Sequence, residues 1–274
     1  MIGQKKLQEQ IINQINNDTF PRFSIITGFK GSGKKTLIHT IAPYFNANVV
    51  FLEDVKVDTI RSMITTAYKV SDKTIYVIPD ADNMSLAAKN TILKVTEEPP
   101  YNAYFIMTLT DTSLTLPTIL SRGVVYRIEV YTPNDILEYV KENYEHLDSY
   151  DRDIIVDIAE TPLEVNQLVS YGVKTFYNYV ELVVSNIAEV SGANSFKIAD
   201  KIELSKEDTE KFDLKLFWKI FMNICFTELR KSYDIKYSDA IRITSKCLQD
   251  LNITGINKQM LFDVWLLEIR KSWM

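Results

Sequence analysis

Phe23-Ser24-Ile25-Ile26-Thr27-Gly28-Phe29-Lys30-Gly31-Ser32-Gly33-Lys34-Lys35-Thr36 is the stretch that decides the fold. The apolar run Phe23–Thr27 reads as a buried strand, and Lys34–Ala42 as a helix that stops near Pro43. Strand, glycine-rich loop and helix in that order form the setting of a phosphate-binding P-loop. Glycines let backbone N–H groups turn inward, the next helix offers its positive end, and a lysine adds charge for the β- and γ-phosphates. Gly28, Gly31, Ser32, Gly33, Lys34 and Thr36 are therefore the candidate nucleotide-binding residues. The loop is degenerate. Lys35 stands where the motif has a Ser or Thr hydroxyl for Mg²⁺, and Thr36 is one residue out of register, about 100° round the helix.

Outward from the loop, strand and helix patterns alternate as far as Tyr131. Strands are expected at Asn48–Leu52, Thr74–Ile78, Tyr104–Thr108 and Val124–Val130. Helices are expected around Leu7–Ile15, Val57–Tyr68 and Ser85–Thr96, with a short turn at Thr118–Leu120. Such alternation implies a mainly parallel sheet covered on both faces, an α/β domain. After Tyr131 the strand signals fade. Thr132 as N-cap and Pro133 at the first helical position start a helix over Pro133–Asn143. Ser149–Ala159 and Pro162–Tyr171 follow, and Gly172 closes the set. Amphipathic helices then run over Phe176–Glu189, Asp213–Ser232, Ser238–Leu251 and Asn257–Trp273. The expected division is 1–131, 132–173 and 174–274: an α/β domain, a small helical domain and an all-α C-terminal domain.

The composition, 46% hydrophobic and 24% charged, is that of an ordinary soluble protein. No apolar run approaches the roughly 20 residues of a membrane span, and the N-terminus lacks the layout of a signal peptide. Two cysteines, Cys225 and Cys247, and two distant histidines do not make a tetrahedral metal site. The two cysteines read as buried small hydrophobes in a reducing cytoplasm. A net charge of −5 argues against a free-standing, strongly DNA-attracting protein. It leaves room for a subunit that meets DNA through its partners. The C-terminal aromatics Phe212, Phe217, Trp218, Phe221, Phe262, Trp265 and Trp273 lie at helical spacing without a basic surround. They read as packing, not as a base-stacking platform. Lys201–Lys211 reads as a solvated linker with a helix start.

A second run sharpens the reading: Ile75-Tyr76-Val77-Ile78-Pro79-Asp80-Ala81-Asp82, then Asn90, Leu93, Lys94 and Glu97-Glu98-Pro99-Pro100. With the loop, this resembles the clamp-loader group of the AAA+ ATPases, which has an Asp-Glu-Ala-Asp strand end and a Glu-Glu-Pro-Pro turn. The resemblance covers about the first 170 residues. It implies an AAA+ P-loop domain, a helical lid and an oligomerising collar for the three divisions. It also implies that the first strand-end acid holds Mg²⁺ and the second polarises water. Here Pro79 and Asp80 occupy those positions, so Walker A and Walker B are both degenerate. Thr110 matches the sensor-1 polar residue. Ser121-Arg122-Gly123 matches the family's Ser-Arg-Cys, whose arginine finger reaches a neighbouring subunit's γ-phosphate. Gly3-Gln4 matches a short element beside the adenine pocket. In Glu160–Leu168, where the family has a sensor-2 arginine, there is none, and Gln167 does not neutralise phosphate.

The implied function is a non-hydrolysing subunit of a DNA sliding-clamp loader. It would supply Arg122 in trans, and ATP or ADP would bind without efficient hydrolysis if at all. The implied partners are other clamp-loader ATPase subunits in a hetero-oligomeric ring, the sliding clamp, and primer-template DNA through the complex, with no membrane. Two alternatives stay open: an active loader ATPase with atypical metal ligands, and an AAA+-derived adaptor or regulator.

Overall fold

A computed structural model describes residues 2–187, 202–203, 211–251, 253 and 255–273. Contacts divide the chain into two compact units, 1–139 with 161–163, and 140–160 with 164–274. The first unit is built on five parallel strands: β1 (Phe23–Thr27), β2 (Asn48–Phe51), β3 (Thr74–Ile78), β4 (Ala103–Leu109) and β5 (Val124–Arg127). Their order across the sheet is β2-β3-β4-β1-β5. Every pairing is parallel, with Ile25 opposite Met107 on one side of β1 and Val125 on the other. The inner strands β1, β3 and β4 are buried along their whole length, as continuous apolar runs in a doubly covered sheet must be.

Alternation along β1 divides the core into two layers. Phe23 and Ile25 face α3 (Val57–Ala67), α4 (Leu86–Glu97) and α5 (Pro117–Leu120). Ile26 faces α1 (Lys5–Asn16) and α2 (Lys34–Phe45), with Ile11, Leu37, Ile38 and Ile41. The glycine-rich loop thus leaves the C-terminal end of β1, between β4 and β5, where open α/β sheets bind ligands.

The second unit is helical: α7 (Ser149–Ile158), α9 (Val173–Asn186), α10 (Leu214–Ser232), α11 (Ile235–Asp250) and α12 (Lys258–Trp273), with most of α8 (Pro162–Tyr171). Asp148, Asp213 and Asp234 cap α7, α10 and α11 through their side chains. The start of α6 (Pro133–Asn143) carries the expected cap, Thr132 Oγ1 accepting from Asp135 N–H, while the Asp135 carboxylate accepts from Thr132 N–H. Phe217, Trp218, Phe221, Phe262 and Trp265 are fully buried and meet ring to ring, so these aromatics are core. Trp265 Nε1 donates to Thr244 Oγ1 at 2.9 Å, which keeps its polar edge satisfied in that core. Cys225 and Cys247 are buried free thiols.

Several boundaries differ from the sequence reading. α2 runs through Pro43 to Phe45, because the buried Phe45 ring packs edge-on against Phe20 and Tyr104 and holds the last turn. β5 ends at Arg127, not Val130. The Gln4 side chain bonds both the N–H and the C=O of Glu129, at 3.1 and 2.9 Å, and so replaces a neighbouring strand there. α9 starts at Val173, directly after Gly172, and the expected Ala188–Glu189 lies outside the described residues. Ile202–Glu203 pairs in parallel with Phe212–Asp213, and Ile202 is fully buried, so this part of Lys201–Lys211 is not a solvated linker. Residues 201 and 204–210 lie outside the described residues.

Candidate functional site

The loop has the shape its sequence implies. Gly31 and Gly33 run at φ +81° and +86°, a conformation glycine adopts without strain. Gly33 caps α2 without a side-chain bond. The N–H groups of Gly31, Gly33, Lys34, Lys35 and Thr36 find no backbone acceptor among the described residues. They form an anion-binding cradle at a helix N-terminus. The residues therefore fit a phosphate group.

The same loop is held from within its own unit. Lys34 is buried, and its Nζ donates to Gly28 O at 2.5 Å and Phe29 O at 3.0 Å. Burial lowers the Lys34 pKa, and the charges of Asp80 and Asp82 act against that. The Tyr131 hydroxyl donates to Ser32 O at 2.8 Å, its pKa raised to about 12 by burial, with Asp135 and Tyr139 adding to the rise. A Cβ on Gly31 would lie 2.4 Å from Leu163 Cβ, so Leu163 rests directly on the loop. Ser32 Oγ is buried with no hydrogen-bond partner among the described residues.

Among the described residues, the positions the motif reserves for a metal do not bring together a comparable set of ligands. Lys35 is exposed, its ammonium 5.1 Å from the Phe51 ring centroid. Thr36 is exposed. Pro79 has neither a ligand atom nor an N–H. Asp80 is exposed in left-handed backbone, φ +44°, with its N–H bonded to Thr108 Oγ1 at 3.0 Å. Among the described residues no three His, Cys, Asp or Glu side chains cluster to hold an ion.

Thr110 lies just past β4, and its N–H and hydroxyl both go to Asp82, at 2.8 and 2.9 Å to Oδ2. Asp82 lies in a 3₁₀ turn just past β3, the neighbouring strand. The hydroxyl proton is thus already committed. Arg122 follows α5 at the surface. Its guanidinium donates to Thr118 O at 2.7 Å and to Glu97 Oε1 at 2.6 Å. Gly123 is fixed by packing: a Cβ there would come within 2.8 Å of the Phe23 ring. A cleft of about 530 Å³ lies along α1 and β5, lined by Gln4, Lys6, Arg127, Glu129, Asp135 and Glu138 among others. None of the loop residues lines it. Gly3, which also lines it, packs against Tyr131 and Asp135. In the second unit Glu164 of α8 is buried and paired with Lys215 and Lys219 of α10.

Comparison with known proteins gives a consistent set. The family described as "DNA polymerase III, delta subunit" matches residues 48–132, the stretch that holds Asp80, Asp82, Glu97, Thr110 and Arg122. A DNA polymerase III subunit gamma from Buchnera aphidicola is 25% identical over 171 residues, 52% of this chain and 47% of that protein. A DNA polymerase III subunit delta-prime from Haemophilus influenzae is 29% identical over 107 residues, 38% of this chain and 32% of that one. The chain is thus similar to clamp-loader subunits of DNA polymerase III. It spans about half the length of the gamma subunits it matches. A DNA polymerase III gamma subunit-related protein from Thermotoga maritima has the same fold, with a TM-score of 0.55 at 16% identity over 98% of this chain and 100% of that one.

Four contributors to the site were not assigned by sequence reasoning: Asp82, Tyr131, Leu163 and Glu97. Asp82 had a legible signal. Parallel pairing of β3 with β4 sets their C-terminal ends side by side, so an acid four residues past Ile78 meets a polar residue just past Leu109. Leu163 had none, because nothing local in Thr161-Pro162-Leu163 points towards the loop. No helix among the described residues is long and apolar enough to cross a membrane.

Proposed function

We propose that this chain is a non-hydrolysing, stator-like subunit of a DNA sliding-clamp loader in DNA replication, most like delta-prime. It works in the cytoplasm in a hetero-oligomeric ring, and lends Arg122 to the nucleotide of an adjacent ATPase subunit. The clamp and primer-template DNA are met through the assembly. Residues 1–131, 132–173 and 174–274 act as AAA+ domain, lid and collar.

The observation that carries the reading is an asymmetry between two sites on one unit. Around the chain's own loop, the metal positions hold Lys35 and Pro79, and the sensor hydroxyl of Thr110 is bonded to Asp82. Arg122, by contrast, stands at the surface with its guanidinium oriented by two acceptors. Phosphoryl transfer needs metal, sensor and positioned water together. The loop offers only a cradle, whereas a surface arginine suits phosphate recognition across an interface.

The free N–H groups of the cradle support a second reading confined to the loop: nucleotide held without turnover. Equilibrium binding of labelled ATP to the chain, with Lys34→Ala as control, separates an empty loop from a filled one.

The test of the main reading has two arms. Purified chain is expected to show no ATP turnover above background; even roughly 1 s⁻¹, ordinary for an enzyme, overturns it. In a complex reconstituted with its gamma-type ATPase subunits, Arg122→Ala is expected to lower turnover at the site it serves by roughly 10³-fold without impairing assembly. Unchanged turnover removes the finger role.

A further inference from the structure

Arg122 does not stand alone. Glu97 is the last residue of α4, more than half exposed, and its carboxylate meets the Arg122 guanidinium at 2.6 Å. A carboxylate at a helix C-terminus faces the negative end of the helix dipole, so its own helix disfavours it. An exposed ion pair adds little to stability. Neither local helix energetics nor folding stability therefore accounts for a glutamate at this place. What the pair does is geometric.

The guanidinium is held through two nitrogens by two elements. NH1 donates to Thr118 O in α5 and NH2 donates to Glu97 Oε1 in α4. The backbone beneath is fixed as well: the N–H groups of Arg122 and Gly123 both bond Ile119 O, at 3.1 and 3.2 Å. Among the described residues the remaining guanidinium N–H groups have no protein partner, and the side chain is 31% exposed. Two donors fix the fork while the others stay open to solvent. An arginine otherwise carries rotamer freedom that must be lost when it meets a phosphate. Here that loss occurs on folding, which is preorganisation of a charge aimed at a reacting group.

We propose that Glu97 is the positioning residue of Arg122, holding the guanidinium so that its open edge meets a phosphate oxygen of the neighbouring subunit's nucleotide. This rests on the reading of Arg122 as a finger acting in trans. Glu97 itself touches no nucleotide.

The reconstituted complex tests this with Glu97→Gln, Glu97→Ala and Arg122→Ala in the full chain. Gln keeps an acceptor oxygen at the same reach and removes the charge; Ala removes both. Glu97→Gln is expected to keep kcat for ATP within about twofold, and Glu97→Ala to lower it about tenfold. KM for ATP, thermal stability and elution as an assembled complex should stay as in the wild type. Retention by Gln and loss in Ala is the pattern that a merely structural role would not produce. Wild-type turnover in Glu97→Ala with Arg122→Ala inactive overturns the positioning role and leaves the finger standing. Faster turnover in Glu97→Ala makes Glu97 a restraining latch, and equal losses in both Glu97 variants make it a charge effect; either overturns the proposal. An Arg122→Ala complex that turns over normally defeats the finger reading itself, and this inference with it.

Discussion

At Gly31 two demands meet in one residue. The backbone runs at φ +81°, and Leu163 Cβ occupies the place a side chain would take. Left-handed backbone costs a non-glycine residue about 1–2 kcal/mol, and overpacking about 1–3 kcal/mol more. Gly31→Ala should therefore lower unfolding free energy by about 2–5 kcal/mol, seen as a lower urea midpoint. Because the nearest atom is the Leu163 Cβ, adding Leu163→Ala should not restore the loss, whereas Leu163→Gly should restore part of it. A neutral Gly31→Ala would mean that Leu163 does not rest on the loop. Thr110 illustrates a different residue-scale point. Its identity as a polar residue past β4 was readable, but its engagement was not. The Asp82 carboxylate that accepts its hydrogen bond lies 28 residues away, brought there only by strand pairing.

At the scale of elements, the ion cluster between α8 and α10 is where charge and burial compete. Glu164 is buried, with Lys219 Nζ at 2.8 Å and Lys215 Nζ at 2.7 Å, and it also accepts from Glu160 N–H at 2.8 Å. Burial pushes the Glu164 carboxyl up, but Lys219 first, then Lys215 and the Glu160 N–H, outweigh it and leave the pKa below its usual value. A carboxyl depressed in the folded state contributes stability that is present above its unfolded pKa and lost as pH falls through the folded one. Unfolding free energy should therefore drop on acidification below the usual glutamate pKa of 4.5. Glu164→Gln should flatten that acid limb. At neutral pH Glu164→Ala should cost about 3 kcal/mol, because it leaves the nearly buried Lys219 short of its main counter-charge. Denaturant titrations across pH measure both effects, and an unchanged acid limb in Glu164→Gln would remove the ion cluster from the account. The elements themselves were largely legible, since β1, β3 and β4 are continuous apolar runs and the helices carry caps such as Thr132, Asp148 and Asp213. Their ends were less so. β5 stops where the Gln4 side chain intercepts Glu129, and α2 continues past Pro43 because Phe45 is buried against Phe20 and Tyr104. Both ends are decided by distant residues, which local periodicity does not carry.

For the molecule as a whole, the proposed reading is of a chain that keeps a glycine-rich loop with open N–H groups at Gly28–Lys34 while its own site lacks the parts of phosphoryl transfer. The missing hydroxyl at Lys35 looks like the simplest loss to reverse, and Lys35→Thr supplies it at the motif's own position. Yet Pro79 still offers no oxygen to a metal, and Asp80 is turned outward in left-handed backbone. The Thr110 hydroxyl remains on Asp82, and Lys34 remains bonded to Gly28 O and Phe29 O. Those contacts do not involve residue 35, so the substitution relieves none of them. Lys35→Thr should therefore fold as the wild type does and show no ATP turnover above background in a single-turnover assay with Mg²⁺. Adding Pro79→Asp supplies the second ligand position but not the free sensor hydroxyl, so turnover should stay far below the roughly 1–10³ s⁻¹ of ordinary enzymes. Strong hydrolysis by Lys35→Thr alone would mean that another residue already serves as the metal's carboxylate ligand. The alignment of Pro79 with that position would then be wrong, and the active-ATPase reading would return.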